Sequence, residues 1–550
     1  MTGLIKMTTQ LLTQDINDLK KAGEIIRLGG LVALPTETVY GLGANALDSD
    51  AVKKIFQAKG RPQDNPLIVH ISSVSEIEPL VTEIPQKARM LMDAFWPGPL
   101  TIILPKSEKV PLTTSGGLET VAVRLPSNET ARKVIELAGV PIAAPSANTS
   151  GIPSPTKWEH VRDDMTGKID AIICGDECDV GVESTVITLV SEKPRILRPG
   201  GITPEMIESV IGEVDIDDAV FAKLKQGEKA ASPGMKYKHY SPKANIILVK
   251  GAIDKFADFV NSSPFESTYA MCFDGEEEKI KVGCISYGAQ DDSLSQAHRL
   301  FDVLRKLDEM GAKTVFCRCP SMDGVGMAVY NRLIRACAYQ VIDLDEPIVL
   351  GVTGQTGAGK GYVCEKLKKY GFSVVDTDLI AHNIVNKGSA VLTRLAEAFG
   401  KDILLDGALD RKKLAKRAFS SKDSQKLLNS ITHPEIIRVS KVQMREEYAK
   451  GKTKFIIDAP LLFESTMDSL CDFTIAVTAP YQLRLERVLE RDNLDEQSAA
   501  RRMSVQESDE FYTSKADFSI INDGRDIDRE IKNIIKIIIE RSVSDGKIKG

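Results

Sequence analysis

The stretch that most constrains this chain runs from Leu31 to His70 and reads LVALPTETVYGLGANALDSDAVKKIFQAKGRPQDNPLIVH. The apolar run Leu31 to Leu34 reads as a strand, and Pro35-Thr36-Glu37-Thr38 as the turn that ends it. Gly41 and Gly43 follow Tyr40. Glycine has no Cβ and tolerates positive φ, so backbone here is expected to approach a ligand closely. Asp50 to Gln57 is expected to be helical, and Lys59-Gly60-Arg61 then sets two cations around a residue that permits a tight turn. Both side chains could thus point at one anion. Asn65-Pro66 feeds a second expected strand, Leu67 to Ile71, which carries His70. Cations beside glycines at strand ends suit a phosphate-bearing substrate. For Lys-x-Arg alone, a surface loop with solvated charges is the alternative.

The chain has 550 residues, too many for one core, and three or four domains are expected. With 27% charged residues and a net charge of −6 it does not carry a surface built to coat nucleic acid, so any RNA contact must be local. No apolar run approaches the ~20 residues that span a bilayer, and the N-terminus lacks the apolar core of a signal peptide. A cytoplasmic enzyme without a membrane partner is the expectation. The nine cysteines are scattered, and the Cys317/Cys319 pair has no second pair at zinc spacing, so reduced core thiols are expected.

Asp15 to Leu28 and Ile84 to Phe95 have helical spacing, the latter ended by Trp96-Pro97-Gly98-Pro99 before a strand, Leu100 to Leu104. Arg124 lies inside the expected strand Val121 to Leu125, where a charge needs a partner: a ligand phosphate or carboxylate, or an internal salt bridge. PIAAPSANTSG, from Pro141 to Gly151, places Ser146 and Asn148 in a loop of small residues, short donors and acceptors without bulk. Gly181 to Val186 reads GVESTV, a loop entering a strand, and Arg198-Pro199-Gly200 follows.

In order and spacing, PTETVYGLG, KGRP, NPLIVH, FWPGPLTIIL, PSANTSG and GVESTV resemble the YrdC/Sua5 family, the threonylcarbamoyl-AMP synthases. The resemblance implies that L-threonine, bicarbonate and ATP give threonylcarbamoyl-AMP and pyrophosphate, with Mg2+ assisting. Lys59 and Arg61 would carry the catalytic electrostatics, and with Ser146, Asn148 and Arg198 would bind ATP. Thr36, Tyr40, His70, Arg124 and Ser184 would hold threonine and the carbamate, with a satisfied core histidine as the alternative for His70. Thr188 stands where the family usually has an acid. SPGMKYKHYSP, from Ser232 to Pro242, resembles the linker of the longer, two-domain form, which folds over the site as a lid. His239 and Tyr240 would then reach ATP; a Pro-bounded spacer is the alternative.

Residues 244–345 alternate strand and helix, as expected of a small α/β domain with a mostly parallel sheet. They resemble the C-terminal domain of the longer synthases, including the glycines before Asn331-Arg332-Leu333, and read as a docking and lid-supporting domain without a catalytic set.

A second enzyme begins near Glu346. An apolar strand, Ile348 to Val352, precedes Gly354-Gln355-Thr356-Gly357-Ala358-Gly359-Lys360, a phosphate-binding loop whose backbone N–H groups wrap phosphates while Lys360 reaches the β- and γ-phosphates. Gly361 stands where Ser or Thr normally offers Mg2+ a hydroxyl. VVDTD (Val374 to Asp378), His433-Pro434, PLLFE (Pro460 to Glu464) and Ala516-Asp517 with Asn522-Asp523-Gly524 resemble the dephospho-CoA kinases. That resemblance makes Asp378 the base or orienting group for the 3′-hydroxyl of dephospho-CoA, and Asp376 a metal contact through water. Arg487 or Arg491 of YQLRLERVLERD would approach ATP, a solvated ion-paired face being the alternative for this run, and Arg502 and Gln506 fall on the next lid helix.

The reading is therefore an α/β multidomain chain. Residues 1–214 form a YrdC-like twisted α/β synthase domain, 215–243 a linker or lid, 244–345 the small parallel α/β domain, and 346–550 a P-loop kinase. The chain would be a bifunctional enzyme with ATP as a substrate of both parts and Mg2+ as cofactor. Small molecules are its expected partners, and by resemblance tRNA and the proteins that complete its threonylcarbamoylation. Two alternatives stand: an N-terminal RNA-binding module, or a synthase joined to a catalytically inactive nucleotide-binding domain marked by Gly361.

Overall fold

A computed structural model describes residues 8–63, 65–221, 240–492, 495–504 and 506–544. Two compact units are present. Of the described residues, the first takes those up to Ile253 together with Glu266–Ile342; the second takes Asp254–Phe265 and those from Asp343 to Ser544.

The first unit is organised by an 11-stranded mixed sheet running from Gln10–Leu12 at one edge to Asp215–Ile216 at the other. Val32–Leu34 lies inside it between Ala171–Ile173, which it pairs in parallel, and Gly41–Asn45, which it pairs in antiparallel. Successive side chains on a strand face opposite ways. Leu31 and Ala33 accordingly enter one hydrophobic cluster, while Val32 and Leu34 enter another under the helices Ile16–Arg27 and Glu129–Ala138. Burial on both faces is why this strand reads as continuously apolar.

Two expectations are corrected here. Gly41 and Gly43 do not adopt positive φ; both lie in the strand Gly41–Asn45, where Gly41 lines the cleft described below and Gly43 does not. A Cβ on Gly43 would stand 2.7 Å from Leu34 Cδ2 and 2.9 Å from Ile142 Cγ2, so this glycine serves core packing and not ligand approach. Asp215–Ile216, in the stretch read as linker, pairs with Arg195–Ile196 as the edge strand of the sheet.

A second sheet in this unit has the order Gly283–Ser286, Thr268–Cys272, Thr314–Arg318, Asn245–Lys250, Val341–Asp343. Its described pairings are parallel, as the alternating pattern implied. Helix Ser293–Glu309 sets Ala297, Leu300, Phe301, Leu304 and Leu307 in its core, at helical spacing.

The second unit has a five-stranded sheet in the order Ser373–Asp376, Lys454–Asp458, Ile348–Thr353, Phe473–Thr478, Phe518–Ile521, parallel at every described pairing. Parallel strands place all their C-terminal ends on one edge, where ligands bind in open α/β sheets. No described helix is long and apolar enough to cross a membrane. The nine cysteines form no disulfide.

Candidate active sites

In the first unit one cleft gathers side chains from strand ends and loops far apart in sequence. Helix Ser49–Lys59 ends at Gly60, whose φ of 63° reverses the chain and leaves Lys59 and Arg61 at the cleft wall. The buried Lys59 ammonium donates to the Ser146 and Asn148 carbonyls, the latter at 2.7 Å, and to Asn148 Oδ1 at 3.3 Å. The loop of small residues is thereby strapped to the cationic helix end. Burial, and then the neighbouring Arg61 charge, push the Lys59 amine well below its usual range, against the pull of Asp164 and Glu183.

The floor holds a relay of short bonds. Arg124 Nη1 donates to Thr38 Oγ1 at 2.9 Å, Thr38 and Thr36 share a contact of 2.9 Å, and Thr36 Oγ1 donates to the Val39 carbonyl at 2.6 Å. Arg124 also pairs with Glu37 at 2.7 Å, so the internal salt bridge is present while the guanidinium still lines the cleft. His70 sits beside them with Nδ1 3.2 Å from the Ile68 carbonyl. Burial, and next the Arg124 charge, push its pKa down to about 3. The ring is neutral at pH 7.

On the far wall, Ser184 Oγ contacts Thr101 Oγ1 at 2.8 Å and accepts from Arg198 Nη2 at 3.1 Å. Arg198 Nε donates to the Ser184 carbonyl at 3.0 Å. Burial lowers the Arg198 pKa to about 10, yet the group stays charged near neutrality. Tyr240, at φ 62° and buried, lines the cleft while its ring rests 5.2 Å from that of Phe301.

In the second unit, Gly354, Gly357 and Gly359 all adopt positive φ, at 137°, 77° and 92°. The loop they form delivers Lys360 to the start of helix Lys360–Lys368, with its ammonium donating to the Gly354 carbonyl at 3.1 Å. Arg487 donates to the Gly357 and Ala358 carbonyls at 3.2 and 3.3 Å and braces the loop. Arg491 reaches Thr356 Oγ1 at 3.4 Å and pairs with Asp492, to which Arg502 is also bound. Gln506 Oε1 accepts from the Thr356 amide at 2.8 Å. This glutamine lies just beyond the helix Glu496–Ser504 that carries Arg502, not on it.

Parallel pairing sets Asp376 opposite Asp458 at adjacent strand ends. Asp376 accepts from the Leu379 amide at 3.0 Å and so caps helix Thr377–Asn383, leaving its second oxygen available. Burial, with the repulsion of Asp376 and Asp378 against the pull of Lys360, raises Asp458 to about 6. Asp378 is raised by burial first and by Asp376. Among the described residues no three His, Cys, Asp or Glu side chains come close enough to enclose a metal. Carboxylates crowded at a strand end beside a phosphate loop do fit Mg2+, which keeps several waters and takes few protein ligands.

The family model described as "Telomere recombination" matches residues 24–200, "Threonylcarbamoyl-AMP synthase, C-terminal domain" residues 202–338, and "Dephospho-CoA kinase" residues 348–528. A threonylcarbamoyl-AMP synthase of Pyrococcus abyssi is 50% identical over 333 residues, which cover 59% of this chain and 95% of that protein. A dephospho-CoA kinase of Corynebacterium glutamicum is 38% identical over 195 residues, 35% of this chain and 98% of that protein. The crystal structure of P. abyssi Sua5 complexed with L-threonine covers 61% of this chain and 99% of its own, at 46% identity and a TM-score of 0.56. The chain belongs to both families.

In the synthase part, Thr36, Lys59, Arg61, His70, Arg124, Ser146, Asn148, Ser184, Arg198 and Tyr240 all line the one cleft. Tyr40 is the correction. Val39 and Gly41 line the cleft, and the intervening side chain points the other way, into the core, where its hydroxyl donates to the Asp176 carbonyl at 3.1 Å. Thr188 lies on the strand Thr185–Thr188 and does not line the cleft. His239 falls outside the described residues, as do residues 222–238 of the expected lid. Sequence reasoning passed over Thr38, which sits between two residues it named, and Glu183, the acid inside GVEST. In the kinase part it passed over Asp458; the available signal was the apolar run KFIID ending on an acid.

Proposed function

We propose that the chain is a bifunctional enzyme that makes threonylcarbamoyl-AMP from L-threonine, bicarbonate and ATP, and that phosphorylates the 3′-hydroxyl of dephospho-CoA. The observation that carries the first activity is the convergence of Lys59, Arg61, Arg124 and Arg198 on one cleft with a neutral His70 among them. Threonine's neutral amine bonds to the carbon of bicarbonate, and the amine proton and the bicarbonate hydroxyl leave as water; an oxygen of the resulting carbamate attacks the α-phosphorus, the bond to the bridging oxygen breaks, and pyrophosphate leaves. Charge builds on the α-phosphoryl oxygens and on the leaving group, which fixed cations in a water-poor cleft stabilise without reorganising. A polyphosphate beside Lys59 reverses the effect of burial and holds its proton in place. Arg124 and Ser184 offer the carboxylate and hydroxyl of threonine their donors; Glu37 and the Thr38 hydroxyl orient Arg124, while the Thr36 and Thr38 protons are taken up within the floor by Val39 and Thr36.

In the second activity the loop amides and Lys360 hold the phosphates of ATP, and Arg487 and Arg491 hold the loop and its mouth. Asp378, whose raised pKa suits a proton acceptor, orients the 3′-hydroxyl and takes its proton as the γ-phosphoryl group moves to that oxygen, leaving ADP. Mg2+, when bound, neutralises β- and γ-phosphate charge; Asp458 and Asp376 are the carboxylates that would hold it through its waters. Gly361 supplies no hydroxyl, but Lys360, Asp378 and Asp458 remain together, which favours a working kinase over an inactive nucleotide-binding domain.

The test uses the full chain. Threonine-dependent pyrophosphate release and dephospho-CoA-dependent ADP formation are followed separately with Mg2+. Both are expected, with Asp378→Asn lowering ADP formation about 10²–10⁴-fold while ATP still binds. Absence of either product in the natural chain removes that activity from the reading.

A further inference from the structure

Arg332 belongs to the small parallel domain, on helix Gly326–Ala336, and its side chain is fully excluded from solvent. All of its described bonds but one leave that domain. Nε donates to Glu183 Oε2 at 3.0 Å, Nη2 to the Glu183 carbonyl at 3.0 Å, and Nη1 to the Pro199 carbonyl. The remaining bond goes to its neighbour, Asn331 Oδ1, at 3.3 Å. Glu183 Oε1 accepts from Ser154 Oγ at 2.6 Å, so the carboxylate is held at both oxygens.

The next residue is Ser184, and Arg198 holds its carbonyl and hydroxyl from the cleft side. Two guanidiniums thus grip adjacent residues, one from each domain, and the buried Glu183 carboxylate is bonded to the one from the small domain. The packing leaves no slack: a Cβ on Gly200 would stand 2.6 Å from the Ser184 carbonyl carbon, and one on Gly181 2.4 Å from His298 Cα. The same helix is fixed by Asn331, which donates to the Val220 carbonyl at 2.7 Å, and by Arg335, which donates to the Ala219 carbonyl at 2.7 Å.

We propose that Arg332 is a positioning residue of the synthase site, reserving the Glu183 carboxylate so that Arg198 stays turned to Ser184 and the nucleotide. The physical reason is competition. A buried carboxylate deprived of its partner is costly and captures the nearest cation. Arg198 is the cation within reach, because it is bonded to the carbonyl and hydroxyl of the very next residue, Ser184, while Lys59 is held by Ser146 and Asn148. Capture would quench one of the charges lining the cleft and pull Ser184 with it. The small domain therefore acts on the chemistry through one side chain, although it contributes no group to the reaction. This inference rests on the synthase reading above.

The test measures binding of a non-hydrolysable ATP analogue to the full chain by calorimetry, with KM for ATP and for threonine beside it. Arg332→Gln is expected to weaken the analogue and raise the ATP KM at least about tenfold. Arg332→Lys keeps a charge against Glu183 and is expected to bind within about threefold of the natural chain. The double variant Arg332→Gln/Glu183→Gln removes the carboxylate that would capture Arg198, and is expected to regain most of the lost affinity. A purely structural role predicts the opposite: each further lost bond weakens binding more. If the double variant is no better than Arg332→Gln, or Lys behaves as Gln does, the proposal is overturned. Should Arg332→Gln not fold, the Lys and double variants decide alone: binding about tenfold weaker in either overturns it. A natural chain that binds the analogue but releases no threonine-dependent pyrophosphate sinks the synthase reading, while the affinities still decide the role of Arg332.

Discussion

Arg124 lies 2.7 Å from Glu37 on the floor of the synthase cleft, with both side chains almost wholly excluded from water. Burial pushes the Glu37 carboxyl up, but the Arg124 charge and hydrogen bond and the Glu37 and Ser127 amides outweigh it, so its pKa is held low. Breaking such a pair from one side leaves an uncompensated buried charge and costs about 3–5 kcal/mol. Arg124→Met is expected to lower the thermal midpoint of the first unit markedly, and adding Glu37→Gln to recover most of the loss. With a folded pKa below the unfolded value, the pair contributes stability above the ordinary carboxylate range. That contribution is lost as pH falls through the folded value. An additive double variant would refute the pairing.

His70 gives the complementary acid dependence. Folded, its ring resists protonation down to about 3; unfolded, it takes a proton near 6.5. Its neutral burial is therefore without penalty above pH 6.5 and costs stability progressively between 6.5 and 3, by up to about 1.4 kcal/mol per pH unit. His70→Asn is expected to flatten the stability slope of the first unit between pH 6 and 4, measured by urea midpoints. Equal slopes would mean that His70 charges in the folded protein.

Lys59→Ala removes the cation that straps Ser146 and Asn148 to the helix end. Threonine-dependent pyrophosphate release is expected to fall about 10²–10³-fold, the loss typical of one fixed donor to developing charge. Arg61→Ala should behave similarly. ADP formation by the kinase part of the same chain serves as the control for folding there. Normal pyrophosphate release by either variant would remove that residue from the chemistry.

Within the phosphate loop the glycines are unequal. A Cβ on Gly359 would stand 2.0 Å from Asn522 Nδ2, on a backbone at φ 92°, whereas a Cβ on Gly361 meets nothing within 4 Å. Gly359→Ala is expected to abolish nucleotide binding. Gly361→Ser is expected to fold normally and to tighten Mg2+-ATP relative to metal-free ATP, read by calorimetry with and without Mg2+. No change in that ratio would show that a hydroxyl at 361 does not reach the metal.

Much of this was legible locally. Leu31 to Leu34 reads as a strand because both its faces are buried, and Gly60 terminates its helix because only glycine takes φ 63° without cost. The phosphate loop follows from its glycines and lysine, since a loop that wraps phosphate with backbone amides is a local structure. Other features were not local. YGLG fits glycines approaching a ligand as well as it fits Gly43 admitting Leu34 and Ile142, and only the packing separates the two. Tyr40 has the residue type of a ligand contact, yet its orientation depends on which face of an extended segment meets the core. Asp215–Ile216 is too short and polar to announce itself as a strand without the edge it joins.

The sequence by itself determined the order of the families and ten of the residues that line the synthase cleft, because their motifs are contiguous and their backbone demands are met within a few residues. Only the tertiary structure decided the partners. Glu183 and Arg332 lie 149 residues apart, and Asp376 meets Asp458 through parallel strand register. A charge in sequence carries no sign of which opposite charge will share its burial. That is settled when the sheet pairs, the domains dock and water is excluded.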